Sequence, residues 1–197
     1  MRISHRLGSA LLVLSLALPC TAGASDSAES FVRGRQAELS QLVKTGPAAK
    51  KKIETVFDNI LDYDSLAKGS LGDNWDARSE AERREFQDVL KQLVQRAYRR
   101  NLDRTAAYEV RFDGESPEGQ AFRVKTVAQS RSNEREEPVS IDYVVHKAGA
   151  TWLISDIVTE GSSLVGTYRQ QFGRVIKKDG FPELIRRMKR KLATGAE

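Results

Sequence analysis

The chain has 197 residues, 32 basic and 27 acidic, for a net charge of +5. That length suits one domain with a real core, and a mildly basic, well-mixed charge brings nucleic acid into view only for a protein that stays in the cytosol. One cysteine excludes an internal disulfide framework.

The chain opens with "MRISHR", which carries Arg2 and Arg6 and no acid, and continues with the apolar run "LGSALLVLSLALPC". "TAGAS" then puts Ala22 and Ala24 at the small-residue positions of a cleavage site. This is the pattern of a secretory leader over residues 1–24, too short to span a bilayer comfortably. Cleavage after Ala24 leaves residues 25–197 as a single domain of 173 residues with a charge of +3. It also removes Cys20 and His5. A lipid-anchored alternative would use Cys20, but Leu18 and Pro19 stand where small residues are wanted. Export without a disulfide points to the periplasm of a Gram-negative bacterium. There, the basic clusters at 50–52, 99–104 and 186–191 read first as solvated helix faces. Anionic head groups or an acidic protein partner come second.

Residues 28–44 look helical but weakly patterned, and Gly46 and Pro47 break them. Ile53, Val56, Phe57, Ile60 and Leu61 make one helical stripe. "DYDSLAKGSLGDNWD" (62–76) reads as a short helix broken by Gly69 and Gly72. Ser79 and Glu82 form a capping box, each side chain satisfying the other's free backbone N–H. The helix they start keeps its period through Phe86, Val89, Leu90, Leu93, Val94, Ala97 and Tyr98.

Near residue 106 the period changes to two. Tyr108, Val110 and Phe112 alternate with charged residues, "GESPEG" (114–119) reads as a turn, and Phe122, Val124, Thr126 and Ala128 alternate again. "RSNEREE" (131–137) is a charged loop. Val139, Ile141, Tyr143 and Val145 form a third strand, "HKAGAT" a turn, and "WLISDIV" (152–158) a fourth strand. The expectation is an antiparallel four-stranded meander with one wet face. Helices precede and follow it, so the fold class is α+β. Leu164, Val165, Tyr168, Phe172 and Ile176 then make a stripe that "KKDG" ends at Gly180. Phe181, Leu184, Ile185, Met188 and Leu192 mark a last amphipathic helix.

The catalytic motifs fail one by one. Around Ser162 and Ser163 the second glycine of a nucleophile elbow is replaced by Val165. Once the leader is gone, His146 is the sole histidine, and it reads as a solvated surface residue. Ser162 or Ser163 is therefore read as a helix N-cap. One histidine and no cysteine leave only an all-carboxylate metal site, and neither "DYDSL" nor "GDNWD" has calcium-loop spacing. "GSLGD" matches no phosphate loop. Asp156 is the acid to watch, placed by alternation on the face of Trp152, Ile154 and Val158. A hydrogen-bonded structural acid, held by Tyr168 or an arginine, is its plainer role.

Two segments, "YDSLAKGSLGDNWD" (63–76) and the run from Pro138 to Lys191, resemble the MlaC/Ttg2D family of periplasmic phospholipid-binding proteins, auxiliary components of a toluene-tolerance ABC transporter. The strand W-x-I-x-D-I-V, then E-G-x-S-L-V, then Y-R-x-Q-F-x-x-x-I-x-K-x-G-F, carries most of it; the match is loose before residue 53. The resemblance implies a curved antiparallel sheet packed by helices, similar to a nuclear-transport-factor-like cone. It implies phospholipid as cargo, with acyl chains inside and the head group near the mouth, and no other cofactor. It implies a monomer that ferries lipid between an outer-membrane lipoprotein–porin complex and an inner-membrane ABC transporter, with no catalysis.

On that reading the cavity wall comes from Val110, Phe112, Phe122, Val124, Val139, Ile141, Tyr143, Trp152 and Ile154 on the strands. Leu90, Val94, Leu164, Val165, Tyr168 and Phe172 supply the helical side. Each is also readable as ordinary core. A head group that stays in water needs no dedicated clamp. Three alternatives stay open. One is a hopanoid-linked carrier of the same family. Another is a small enzyme on the same cone, using Asp156 beside Tyr143 or Tyr168. The third is an interaction module docking through Arg186, Arg187 and Lys189.

Overall fold

The computed structural model describes residues 26–133 and 135–194, so the expected leader and Cys20 lie outside the described residues. Helix α1 (Ala28–Lys44) starts at Ser27, whose hydroxyl accepts the Ser30 amide. A 3₁₀ turn over Gly46–Ala49 leads into α2 (Lys50–Ile60), and Asp62 caps α3 (Tyr63–Leu71) by accepting the Ser65 amide at 2.9 Å. The sequence suggested a break at Gly69, but α3 runs through it. Gly69 serves a close approach instead, since a Cβ there would lie 2.7 Å from the Val165 side chain. The helix ends at Gly72, where φ is +53°. The capping box forms as read: Ser79 N–H donates to Glu82 at 2.8 Å and Glu82 N–H to the Ser79 hydroxyl at 3.3 Å. It opens the long helix α4 (Glu80–Ala106).

The sheet has five strands, in the order β1 to β5, where the sequence suggested four. They are β1 (Tyr108–Glu118), β2 (Ala121–Ser130), β3 (Val139–Ala148), β4 (Thr151–Thr159) and β5 (Ser162–Ser163). All neighbours are antiparallel, and β1 and β5 are the two edges of an open sheet. The fifth strand arises because Glu160 and Gly161, both at positive φ, fold the chain back so that Val158 pairs with Ser163. "GESPEG" is mostly strand rather than turn: Pro117 pairs with Phe122 on the edge strand, where a missing N–H is tolerated, and the chain reverses beyond Glu118.

Two bulges set the faces. One lies between Phe112 and Glu115 on β1, the other between Ile154 and Asp156 on β4, where Ser155 has no register partner on β3. After the sheet come α5 (Leu164–Asp179) and α6 (Phe181–Thr194), separated by Gly180 at φ +84°. The core is in two parts. Val124, Val145, Trp152 and Ile154 on the sheet meet α1 and α2 through Val32, Val56 and Ile60. Phe86, Leu90, Phe172, Phe181 and Leu184 form a second core among α3 to α6. Val94 packs against both.

Candidate functional site

Between α1, the end of α2 and the buried face of the sheet lies a cavity of about 270 Å³. From the sheet it is lined by Val110 on β1, Ala128 on β2, Ile141 and Tyr143 on β3, and Ile154 and Ile157 on β4. Phe57, Ile60 and Leu61 line it from α2 and its end; Val32, Leu39 and Val43 line it from α1. The bulge at Ser155 is what allows Ile154 and Ile157, three apart, to face the same space.

Polar groups are few. Tyr108, also in the lining, donates its hydroxyl to Glu136 at 2.7 Å. The Tyr143 hydroxyl makes no hydrogen bond to a described residue, and burial pushes its phenol above the ordinary tyrosine range. Arg35, Gln36 and Ser40 face the cavity from α1.

Asp26 ties the start of α1 to the sheet. Its carboxylate accepts from Trp152 Nε1 at 2.7 Å and from Lys147 Nζ at 2.6 Å. Those two donors hold it below the usual carboxylate range. Next to it, the Glu29 amide donates to Glu115 at 2.6 Å. The bulge on β1 turns Glu115 toward the helix terminus, where a carboxylate is favoured.

A second cavity, of about 310 Å³, lies among α4, α5 and α6. Leu90, Tyr168 and Phe172 line it, beside Arg96, Arg187 and Lys191. Tyr168 stacks on Phe172 with ring centroids 5.2 Å apart, and burial raises its phenol pKa.

Asp156 sits outside both cavities. Beyond the bulge it is opposite Val144, in the row that continues to Arg123 on β2. This corrects the placement of Asp156 with Trp152 and Ile154. Its partners are neither Tyr168 nor an arginine. It accepts from the Ser163 hydroxyl at 2.5 Å and from the amides of Ile157 and Val165 at 2.8 and 3.0 Å. Ser163 in turn accepts the Gly166 amide at 2.8 Å, so it is the N-cap of α5. His146 is not simply solvated: its Nε2 lies 3.1 Å from Asp62, the cap of α3. Among the described residues no serine hydroxyl meets a histidine, and no three His, Cys, Asp or Glu residues cluster to hold a metal.

The family model described as MlaC protein matches residues 32–190, from within α1 to within α6. The chain belongs to the MlaC family. The match to the MlaC model includes α1, where the motifs read from the sequence were loose. This MlaC chain is also similar to the solved structure of a phospholipid-binding protein from Ralstonia solanacearum in complex with a phospholipid. The TM-score is 0.74 at 23% identity, over 87% of this chain and 99% of that one. That likeness establishes a shared fold. A comparison with curated proteins finds no match.

In this MlaC fold the anticipated wall residues separate into four groups. Val110, Ile141, Tyr143 and Ile154 line the cavity beneath α1. Phe112, Phe122, Val124, Trp152, Val94 and Val165 pack in the adjoining core without lining it. Leu90, Tyr168 and Phe172 belong to the second cavity. Val139 and Leu164 are half-buried and line neither. The sequence reading missed α1 as a wall. Its signal was Val32, Leu39 and Val43 on one face, diluted by Arg35, Gln36 and Ser40 between them.

Proposed function

We propose that this chain is a periplasmic phospholipid carrier. In this reading it moves lipid as a monomer between an outer-membrane lipoprotein–porin complex and an inner-membrane ABC transporter, after cleavage of residues 1–24. The observation that carries the reading is the apolar cavity between α1 and the sheet in a member of the MlaC family. Its likeness to a structure solved with a bound phospholipid supports it. Each acyl CH₂ hidden from water contributes about 0.8 kcal/mol, so a hydrophobic lining with few polar contacts supplies most of the affinity. The helices and the curved sheet together act as the cone that holds the chains.

At about 270 Å³ the cavity lies just under the ~300–1,000 Å³ of ordinary small-ligand pockets. It holds part of a lipid; a whole one requires the wall to move outward. Asp156 acts as a structural acid, bound to the start of α5 and turned away from the cavity, which favours carriage over catalysis.

Mass spectrometry of protein purified without detergent tests the reading. Near-stoichiometric phospholipid is expected, and a hopanoid in its place would change the cargo and keep the fold's role. Ala128→Phe, which fills the cavity floor beside Val110, should leave a folded protein that carries much less lipid. A wild-type protein free of lipid after exposure to phospholipid vesicles would refute the proposal.

A further inference from the structure

The α1 wall of the cavity is not wholly apolar. Arg35, Gln36 and Ser40 lie on the α1 face that also carries Leu39 and Val43. Arg35 is the sole charged side chain among the described lining residues. With 43% of its side chain exposed, it stands where the cavity meets solvent. Its Nη1 donates to Glu38 at 2.6 Å. Its Nε is out of solvent and has no hydrogen-bond partner among the described residues. A buried donor left unpaired is costly until something accepts from it. Gln36 and Ser40 likewise make no side-chain hydrogen bond to a described residue, and the Tyr143 hydroxyl, on the facing strand, makes none either.

Geometry decides what such an arginine recognises. Glu38 occupies one terminal nitrogen and orients the guanidinium. The edge formed by Nε and Nη2 remains, two parallel donors spaced for two oxygens of one tetrahedral anion. The acyl region beneath it offers no competing charge.

We propose that Arg35 is the phosphate-binding residue of the cavity, with its Nε–Nη2 edge taking the phosphodiester of a glycerophospholipid. Gln36 and Ser40 serve the neighbouring ester oxygens. The assignment rests on the carrier reading and adds a selectivity to it. The protein discriminates a phospholipid from a neutral lipid with the same chains, and reads the phosphate rather than the group beyond it.

The test compares transfer from vesicles of phosphatidylglycerol or phosphatidylethanolamine with transfer of diacylglycerol bearing identical chains. Wild type, Arg35→Gln and Arg35→Lys are each followed by native mass spectrometry and by thermal unfolding. Wild type is expected to favour both phospholipids over diacylglycerol by about tenfold, the scale of one charge-assisted pair. Arg35→Gln should take up diacylglycerol as wild type does and lose most of that preference. Arg35→Lys, which keeps the charge without the fork, should fall between. Equal preference in wild type and Arg35→Gln overturns the assignment and leaves the carrier reading intact. Uptake of neither lipid by wild type overturns both. Millimolar inorganic phosphate that raises the melting temperature of wild type but not of Arg35→Gln, with lipid preference unchanged, would make the site one for a soluble anion and overturn the lipid assignment.

Discussion

Replacing Ser163 with alanine removes two hydrogen bonds with one atom. The hydroxyl accepts the Gly166 amide at 2.8 Å and donates to Asp156 at 2.5 Å. Loss of an N-cap costs about 1 kcal/mol. A hydrogen bond to a carboxylate is worth about 1.5–3 kcal/mol. Asp156 keeps the amides of Ile157 and Val165, which discounts the second loss to about 1 kcal/mol. The sum is about 2 kcal/mol, and for a domain of this size that corresponds to a fall of about 4–8 °C in Tm. Thermal unfolding followed by circular dichroism at pH 7 measures it. A cycle with Asp156→Asn should show coupling of about 1 kcal/mol between the two positions. Lipid loading should be unchanged. A fall under about 1 °C would refute the capping account, and so would lost loading at an unchanged Tm.

Gly69→Ala is expected to lower the urea midpoint despite the better helix propensity of alanine. A Cβ 2.7 Å from Val165 forces α3 and α5 apart, at about 1–3 kcal/mol against a propensity gain of about 1 kcal/mol; an unchanged or raised midpoint would contradict the close-approach argument. Asp26 gives a pH dependence. Its folded pKa is depressed, first by the hydrogen bond from Lys147 and then by that from Trp152. The stability it contributes is therefore present above the ordinary aspartate pKa and lost as pH falls through the lower folded value. The difference in stability between wild type and Asp26→Asn should shrink across that acid window, and a difference independent of pH would remove the tie as an ionic one.

Much of the fold could be read from residues with a local mechanism. The capping box of Ser79 and Glu82, the stop at Gly180 and the period change near residue 106 each act through neighbours in the chain, and each appears in the structure. The bulge at Ser155 could not be read so. "WLISDIV" is apolar on both sides, and an extra residue in such a strand leaves no trace in the alternation. Asp156 therefore fell on the wrong face. Helical stripes posed a different difficulty. Leu90 and Phe172 announce a buried face without saying what buries it, and they went to a second core instead of the cavity beneath α1. In α1 the pattern looked weak because three polar residues interrupt it. Those interruptions line the cavity along with their apolar neighbours.

The two walls of that cavity are held by different means. On the sheet side, long backbone ladders join β1 through β4. On the α1 side, no backbone hydrogen bond among the described residues crosses from helix to sheet. Among the described residues, the hydrogen-bonded ties between them are at Asp26 and Glu29, and Arg33 lies over the Phe112 ring one turn on, while Leu39 and Leu42 pack against the core toward the other end. Moving α1 outward would break aliphatic contacts and leave the ladders whole. A larger guest would then press on packing and not on the sheet, and amide hydrogen exchange in Leu39–Lys44, with and without lipid, is the gauge that would read it.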